Sequence, residues 1–317
     1  PIWLAVLRVG ANGKASIEFE PGVLRDQQRD PLAKLLKSQR TWVGPSAKER
    51  LAILRRAKSI AIVGASPTPG ALGASVLSNL DRNGFAGEVH LINPKRDEIG
   101  GRPCLKSVDD LPEGVDVAVL AIPRVAVLET LRALATRRCG SAIIFSAGFA
   151  EGGEAGMAEQ REIARIAGEA GMAVLGPNCL GATNFLAGVP LTFVETTVPQ
   201  ARPGGISIVS QSGAMAAVVG TVLSSRKLDL SFSVSTGNEA VTGVEDYVEY
   251  LVGEPTTRAI VMIVEQFRQP RRFLAAARAA RAAGKSDTLE RYAADYPKGP
   301  HDQPQSMCPA FGSLRVG

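Results

Sequence analysis

Residues 59–73, Ser-Ile-Ala-Ile-Val-Gly-Ala-Ser-Pro-Thr-Pro-Gly-Ala-Leu-Gly, constrain the fold more than any other stretch. Ile60, Ile62 and Val63 make a short apolar run rich in β-branched residues, which predicts a buried parallel strand. The run ends at Gly64. A turn with Ser66, Pro67, Pro69 and Gly70 follows, and then Leu72, Val76, Leu77 and Leu80 recur at helical spacing. Strand, glycine turn and helix in that order open a nucleotide-binding α/β unit, because a helix N-terminus offers unpaired N–H groups to phosphate.

The turn departs from the dinucleotide fingerprint, which needs glycine where Ser66 stands. The next strand, 89–93, ends in Asn93-Pro94-Lys95-Arg96 rather than in the acidic residue that binds an unmodified ribose. A cation there suits a phosphorylated ribose, as in NADP or coenzyme A. A solvated strand end would read the same way.

Apolar strands alternate with helices from 59 to 183. Strands are expected at 115–122, 141–145 and 173–175, with helices at 125–136 and 159–170 and a loop at 96–108. Five strands of this kind imply a doubly wound parallel sheet, with ligands beyond the strands' carboxyl ends. Residues 184–204 carry Pro190, Pro199 and Pro203 and read as a linker. A second α/β unit follows, with strands at 206–209, 230–234 and 259–264 and helices at 214–223, 243–252 and 272–283. Its first turn, Ser210-Gln211-Ser212-Gly213, is open to phosphate. A plain connection with Ser212 as helix cap reads the same.

The flanks are less regular. Residues 2–9 and 15–19 predict a hairpin turning at Asn12-Gly13, and Ser46 with Glu49 predicts a capped helix to residue 57. After Lys285 four prolines and no apolar strand predict an irregular tail. The expected divisions are an unassigned 1–56, a first domain at 57–185, an incomplete second at 186–285, and the tail at 286–317.

Composition narrows the function classes. Of 317 residues, 45% are hydrophobic and 21% charged, an ordinary globular balance with room for two domains. The net charge of +5 is modest, and the arginines at 268, 271, 272, 278 and 281 lack interleaved aromatics. They read as a solvated helix face and not as a nucleic-acid site. Cys104, Cys139, Cys179 and Cys308 form no C-x-x-C pair, so neither zinc nor a redox motif is expected. Scattered thiols, no membrane-length apolar run and no signal peptide lead to a cytoplasmic expectation, with no membrane partner.

Taken as an ordered set, the turns resemble the NDP-forming acyl-CoA synthetases, which include ADP-forming acetyl-CoA synthetase and the succinyl-CoA synthetase α subunit. The matching segments are 61–66, Asn93-Pro94-Lys95, Ser146-Ala147-Gly148-Phe149, Leu175-Gly176-Pro177-Asn178-Cys179-Leu180-Gly181, 210–214 and Gly237-Asn238-Glu239. The resemblance covers about residues 57–285. It implies a Rossmann-like CoA-binding domain followed by a partial flavodoxin-like α/β domain. Gly64, Ser66, Pro67 and Gly70 would hold the CoA phosphates, and Lys95 the phosphorylated ribose. Ile122 and Pro123 would line the adenine or pantetheine path, and Ser146, Ala147, Gly148 and Asn178 the path to the thiol.

In that family an acid, CoA and NTP give acyl-CoA, NDP and phosphate through an acyl phosphate and a phosphohistidine. Ser210, Gln211, Ser212 and Gly213 would cradle the phosphoryl group, and Glu265 would be the carboxylate that orients the histidine; a solvated strand end is the other reading of Glu265. The family's histidine loop after Gly-Lys has no match. His90 falls inside a strand, and His301 lacks the family context. The ATP-grasp part that brings ATP, ADP and Mg has no match either. The chain alone is therefore expected to bind CoA without ligase turnover, and to need an ATP-grasp domain or subunit and a small carboxylic acid. The resemblance leaves homo- and hetero-oligomers open. The alternatives are a CoA-sensing module of a protein acetyltransferase and, behind it, an NADP oxidoreductase.

Overall fold

The computed structural model describes residues 5–9, 15–19, 51, 57–198 and 205–283. Most of the predicted helix ending at residue 57, the basic stretch at 25–40, and the tail with Lys285, His301 and Cys308 lie outside the described residues. Near the start, β1 (Ala5–Val9) and β2 (Ala15–Phe19) pair antiparallel, as expected for a hairpin.

The first large sheet has the order β5-β6-β4-β3-β7-β8-β9. Its strands are β3 (Ser59–Val63), β4 (Glu88–Ile92), β5 (Glu98–Ile99), β6 (Arg102–Leu105), β7 (Val117–Leu120), β8 (Ser141–Ile144) and β9 (Ala173–Leu175). All neighbours are parallel except β5, which returns antiparallel on β6. The unbroken apolar strands are explained by burial on both faces. Alternation sends Ile60, Ile62, Val117, Val119, Ile143 and Leu175 to one core. It sends Ala61, Val63, Ala118, Leu120, Ala142 and Ile144 to the other. Helix α1 (Leu72–Arg82) covers the first face through Val76, Leu77 and Leu80. Helices α2 (Val127–Thr136) and α3 (Glu154–Ala170) cover the second.

The second sheet has the order β11-β10-β13-β12-β14, from β10 (Gly181–Asn184), β11 (Val189–Thr192), β12 (Gly205–Ser210), β13 (Leu230–Ser235) and β14 (Thr257–Ile263). Helix α4 (Gly213–Ser225) lies on its outer face with Ile206, Ile208 and Ile263. Helices α5 (Val244–Gly253) and α6 (Pro270–Ala282) lie on the other, where Tyr247, Leu251 and Phe273 join Phe232 and Val234 in the same core cluster as the first sheet. One hydrophobic cluster therefore continues from the first domain into the second. No described helix is long and apolar enough to cross a membrane.

Three expectations are corrected. The loop expected at 96–108 contains β5 and β6, and β6 extends the sheet through Leu91↔Cys104 and Ile92↔Leu105. These strands are too short and too polar to show a period. The linker expected at 184–204 begins as the β10–β11 hairpin, whose strands are buried and whose β10 pairs antiparallel with β13. Pro190 is compatible with a strand there because β11 is the sheet edge. The first sheet consequently has seven strands and not five. Helix α3 also starts earlier than expected, at Glu154.

Between the domains, residues 192–198 run along α1 and are held by two asparagines one turn apart. Asn79 Nδ2 donates to Thr192 O (2.8 Å) and Val194 O (2.7 Å), and its Oδ1 accepts from Thr196 N–H (3.1 Å). Asn83 repeats the pattern with Thr196 O (2.8 Å) and Val198 N–H (2.7 Å).

Candidate functional site

The first candidate region is the turn between β3 and α1. Gly64 has φ +87°, and a Cβ there would lie 2.4 Å from Ala121 O. Its N–H and that of Ala65 both reach Ile92 O. Gly73 lets α1 approach so closely that a Cβ would sit 2.2 Å from Gly64 O. Helix α1 begins after Ala71 with no side-chain cap, so its first N–H groups keep no side-chain acceptor. Ser66 Oγ accepts from Thr68 N–H and shapes the turn, and Pro67 and Gly70 are exposed. An open cleft of about 820 Å³ runs from Ser66, Pro67 and Gly70 along α1 to Asn79 and Phe193.

Asn93, at the end of β4, links this turn to the next. Its Nδ2 donates to Ala65 O (2.7 Å), and its Oδ1 accepts from Lys95 N–H (2.8 Å). Lys95 is exposed, and its ammonium makes no ion pair among the described residues. Lys95 is thus placed beside the turn through Asn93, which was legible only as part of a motif.

The next group gathers at the ends of β7, β8 and β9. Ser146 Oγ donates to Ile122 O, and Asn178 N–H to Ser146 O at 2.9 Å. Pro123 and Ala147 are exposed at the same strand ends. Arg124 stacks 5.8 Å from the Phe149 ring centroid and forks onto Glu159 (2.8 Å twice), and a Cβ on Gly148 would lie 3.2 Å from its Cδ. The peptide Gly176–Pro177 is cis, and Asn178 follows with φ +57°. Cys179, one residue on, is fully buried, and burial pushes its thiol up to about 12; Cys139 is pushed up to about 11 for the same reason. Neither is a nucleophile at neutral pH. Iodoacetamide at pH 8 is expected to label Cys104, which is only partly buried, and to reach Cys139 and Cys179 only after denaturation. Peptide mapping checks this; native labelling of Cys179 ahead of Cys104 would contradict it.

The third group surrounds a cleft of about 480 Å³ lined by Ala150, Asn178, Gln211, Gly237, Asn238, Glu265, Gln266 and Arg268. Ser210 is buried and its Oγ donates to Ser212 O, while Ser212 Oγ accepts from Met215 N–H as the cap of α4. Gln211 Oε1 accepts from the N–H groups of Glu265 (2.6 Å) and Gln266 (2.9 Å), and its Nε2 donates to Gln266 O. The ends of β12 and β14 are thereby locked together. Gly213 faces Leu180, whose Cγ would be 2.4 Å from a Cβ. The structure thus brings Gln211, Glu265 and Asn178 to one cleft, while the turn at Ser66, Pro67 and Gly70 lines the other.

Sequence reasoning placed Asn238 and Glu239 in a matching segment but assigned them no role. Asn238 Nδ2 donates to Gln160 Oε1 (3.1 Å) and to Glu151 Oε2. Asn178 Nδ2 lies 3.3 Å from Asn238 Oδ1. Burial works against the Glu151 carboxylate, but Asn238 and the loop's N–H groups outweigh it and hold it below the usual range. Glu239 is buried, with its Oε1 accepting from Thr236 Oγ1–H (2.9 Å) and Val244 N–H (3.1 Å), and its Oε2 3.2 Å from Arg268 Nε. Burial, with the Glu245 charge beside it, pushes Glu239 up to about 7 against those donors and Gln211. His90 sits half-buried in β4 beside Glu88, away from both clefts. Among the described residues no cluster of three or more histidine, cysteine or acidic side chains is placed to hold a metal ion.

A family profile described as CoA binding domain matches residues 58–184, and one described as succinyl-CoA ligase like flavodoxin domain matches 203–286. Together they span both sheets and both clefts. The chain belongs to the NDP-forming acyl-CoA synthetase family. It is 56% identical over 235 residues to a trans-feruloyl-CoA synthase of an unknown prokaryote, covering 73% of this chain and 33% of that protein. It is 35% identical over 249 residues to the α subunit of an ADP-forming acetate–CoA ligase of Pyrococcus furiosus, covering 75% and 53%. Among solved structures, an acetyl-coenzyme A synthetase of Ca. Korarchaeum cryptofilum in complex with phosphate and ADP matches with TM-score 0.64 and 33% identity, over 69% of this chain and 47% of that one. The chain thus spans a third to about half of these curated relatives. Separately, 41 residues are 71% identical to the chlorophyllide reductase 52.5 kDa chain of Cereibacter sphaeroides, covering 13% of this chain and only 8% of that protein. The acetyltransferase-module and oxidoreductase alternatives gain no support from the two family profiles.

Proposed function

We propose that this chain is the coenzyme-A-binding part of an ADP-forming acyl-CoA ligase, with the CoA phosphates at the turn from Gly64 to Gly70. The observation that carries this reading is the uncapped start of α1 at the floor of an open cleft, tied through Asn93 to the exposed Lys95. Unpaired N–H groups and a cation suit a pyrophosphate and a phosphorylated ribose. The ends of β7, β8 and β9, with Ile122, Pro123, Ser146, Ala147, Gly148 and Asn178, then carry the pantetheine toward the second cleft. There Ser210, Gln211, Ser212 and Gly213 would hold the phosphoryl group, and Glu265 would orient a carrier histidine that the described residues do not supply.

The overall reaction joins an acid to the CoA thiol while NTP becomes NDP and phosphate. The acid's carboxylate first takes a phosphoryl group, and the CoA sulfur then displaces phosphate from the acyl carbon. The nucleotide and its magnesium come with an ATP-grasp part, on the same polypeptide or on a partner subunit; the Pyrococcus furiosus relative, an α subunit, supports the second arrangement. The acid is of the hydroxycinnamate kind, because identity to the feruloyl-CoA enzyme is 56% against 35% for the acetate enzyme. The functional divisions are 57–185 for CoA and 186–285 for phosphoryl transfer.

Calorimetry with coenzyme A, NADP and NAD tests the ligand, with CoA expected to bind and NAD not. Lys95→Glu is expected to weaken CoA by about tenfold more than it weakens dephospho-CoA, since only CoA brings the ribose phosphate to the reversed charge. Equal losses for both ligands would remove Lys95 from the ribose-phosphate site.

A further inference from the structure

The cleft between the domains contains a cation to which the matching motifs give no role. We propose that Arg268 is the cation of the phosphoryl site, holding the oxygens of phosphate or of an acyl phosphate through the outer edge of its guanidinium. The proposal rests on the reading of this chain as part of an acyl-CoA ligase.

The geometry of Arg268 is that of an oriented ligand arm. Its Nε–H is directed at Glu239 Oε2 (3.2 Å), and Nη2 donates to Asn238 O at 2.5 Å. Glu239 is itself immobilised by Thr236 and by the N–H of Val244 at the start of α5. A guanidinium has five N–H donors. Here Nε–H and one hydrogen of Nη2 are used, and Nη1 has no partner among the described residues. The free edge, formed by Nη1 and the second Nη2 hydrogen, matches a pair of phosphate oxygens. The Arg268 side chain is 44% exposed and lines the cleft, whereas Glu239 beneath it is 1% exposed. The carboxylate therefore fixes the direction of the arginine without competing for its outer edge.

Charge balance points the same way. Of the cleft's lining residues, Glu265 and Arg268 are the charged ones, and the Glu239 and Glu151 carboxylates stand close behind Asn238. A phosphate placed between Gln211 and Glu265 would face these carboxylates. Arg268 is the lining group that offsets them. Gln211 and Asn178 are neutral and supply direction but no charge.

The test uses the full chain and three probes, inorganic phosphate, acetyl phosphate and coenzyme A, each titrated calorimetrically alongside a melting curve. Arg268→Met is expected to weaken the phosphate probes by about tenfold or more. It should leave CoA within about twofold, and Arg268→Lys should recover part of the loss because charge returns without the fork. A loss confined to acetyl phosphate would assign the site to the acyl phosphoryl group, and a loss for both probes to phosphate itself. The proposal is overturned if the wild-type chain binds CoA but neither phosphate probe, or if Arg268→Met leaves phosphate affinity unchanged. Parallel loss of CoA and phosphate, with a lowered melting temperature in both Arg268→Met and Arg268→Lys, would equally overturn it by making Arg268 a structural partner of Glu239. Failure of wild-type CoA binding would instead strike the ligase reading.

Discussion

Gly73→Ala is expected to destabilise the protein by roughly 1–3 kcal/mol and to abolish measurable coenzyme A binding. The added Cβ would stand 2.2 Å from Gly64 O and 3.0 Å from Ala65 Cα. Both are backbone atoms, and Gly64 cannot retreat, because its own Cβ position is already 2.4 Å from Ala121 O and its N–H is held by Ile92 O. Relief must therefore come from α1 moving outward. That movement carries away the N–H groups proposed to meet the phosphates and opens the contact of Val76 and Leu80 with the sheet. Gly70→Ala is the control. Nothing lies within 4 Å of its Cβ position, so only its φ of +82° opposes the change, at a cost of about 1–2 kcal/mol. Urea unfolding and CoA calorimetry on both variants check the pair. A Gly73→Ala protein that unfolds and binds like wild type would show that the helix does not approach the turn as described.

The second large effect is a pH dependence from Glu239. Its carboxyl is pushed up from 4.5 to about 7, first by burial. Between those values the folded protein keeps a proton there that the unfolded chain has released. Stability from this group is thus fully present below pH 4.5 and is lost as pH rises through 7, by about 3 kcal/mol in total. The groups facing it are Arg268, which favours the charged form, and Glu245, which opposes it; Thr236 and Gln211 add hydrogen bonds. Carboxylates held low by arginine or by the Asn238 network, such as Glu162 and Glu151, change stability in the opposite sense and at lower pH. Glu239→Gln is expected to flatten the stability profile between pH 4.5 and 7. Denaturant titrations at four or five pH values in that window read the slope directly, and an unchanged slope in the variant would assign the proton elsewhere.

Much of the first sheet was legible because burial on both faces leaves a simple mark. The runs at β3, β7 and β8 are uninterrupted, and the helical stripe of α1 follows the turn directly. What escaped was structure set by partners distant in sequence. Strand β6 exists because β4 offers an edge, and Pro190 is tolerated because β11 has only one neighbour. The candidate sites divide in the same way. Ser66, Gly70 and Ser212 stand at local strand-to-helix turns, where a motif can be read from adjacent residues. The network of Glu151, Gln160, Asn178, Asn238 and Arg268 is assembled from four separated segments, and no spacing announces it. Glu239 looked like a turn residue because its burial depends on α5 and on Arg268 closing over it.

The two asparagines on α1 set a gear between the domains. Four residues of helix advance about 6 Å, and two residues of extended chain about 6.6 Å. Asn79 and Asn83 can therefore act as successive teeth, engaging Thr196 and Val198 in turn. A slip of the connecting arm by a single residue turns its N–H groups away from both amides, whereas a slip of two meets the next tooth. The register of the arm on α1 is therefore set in steps of two residues.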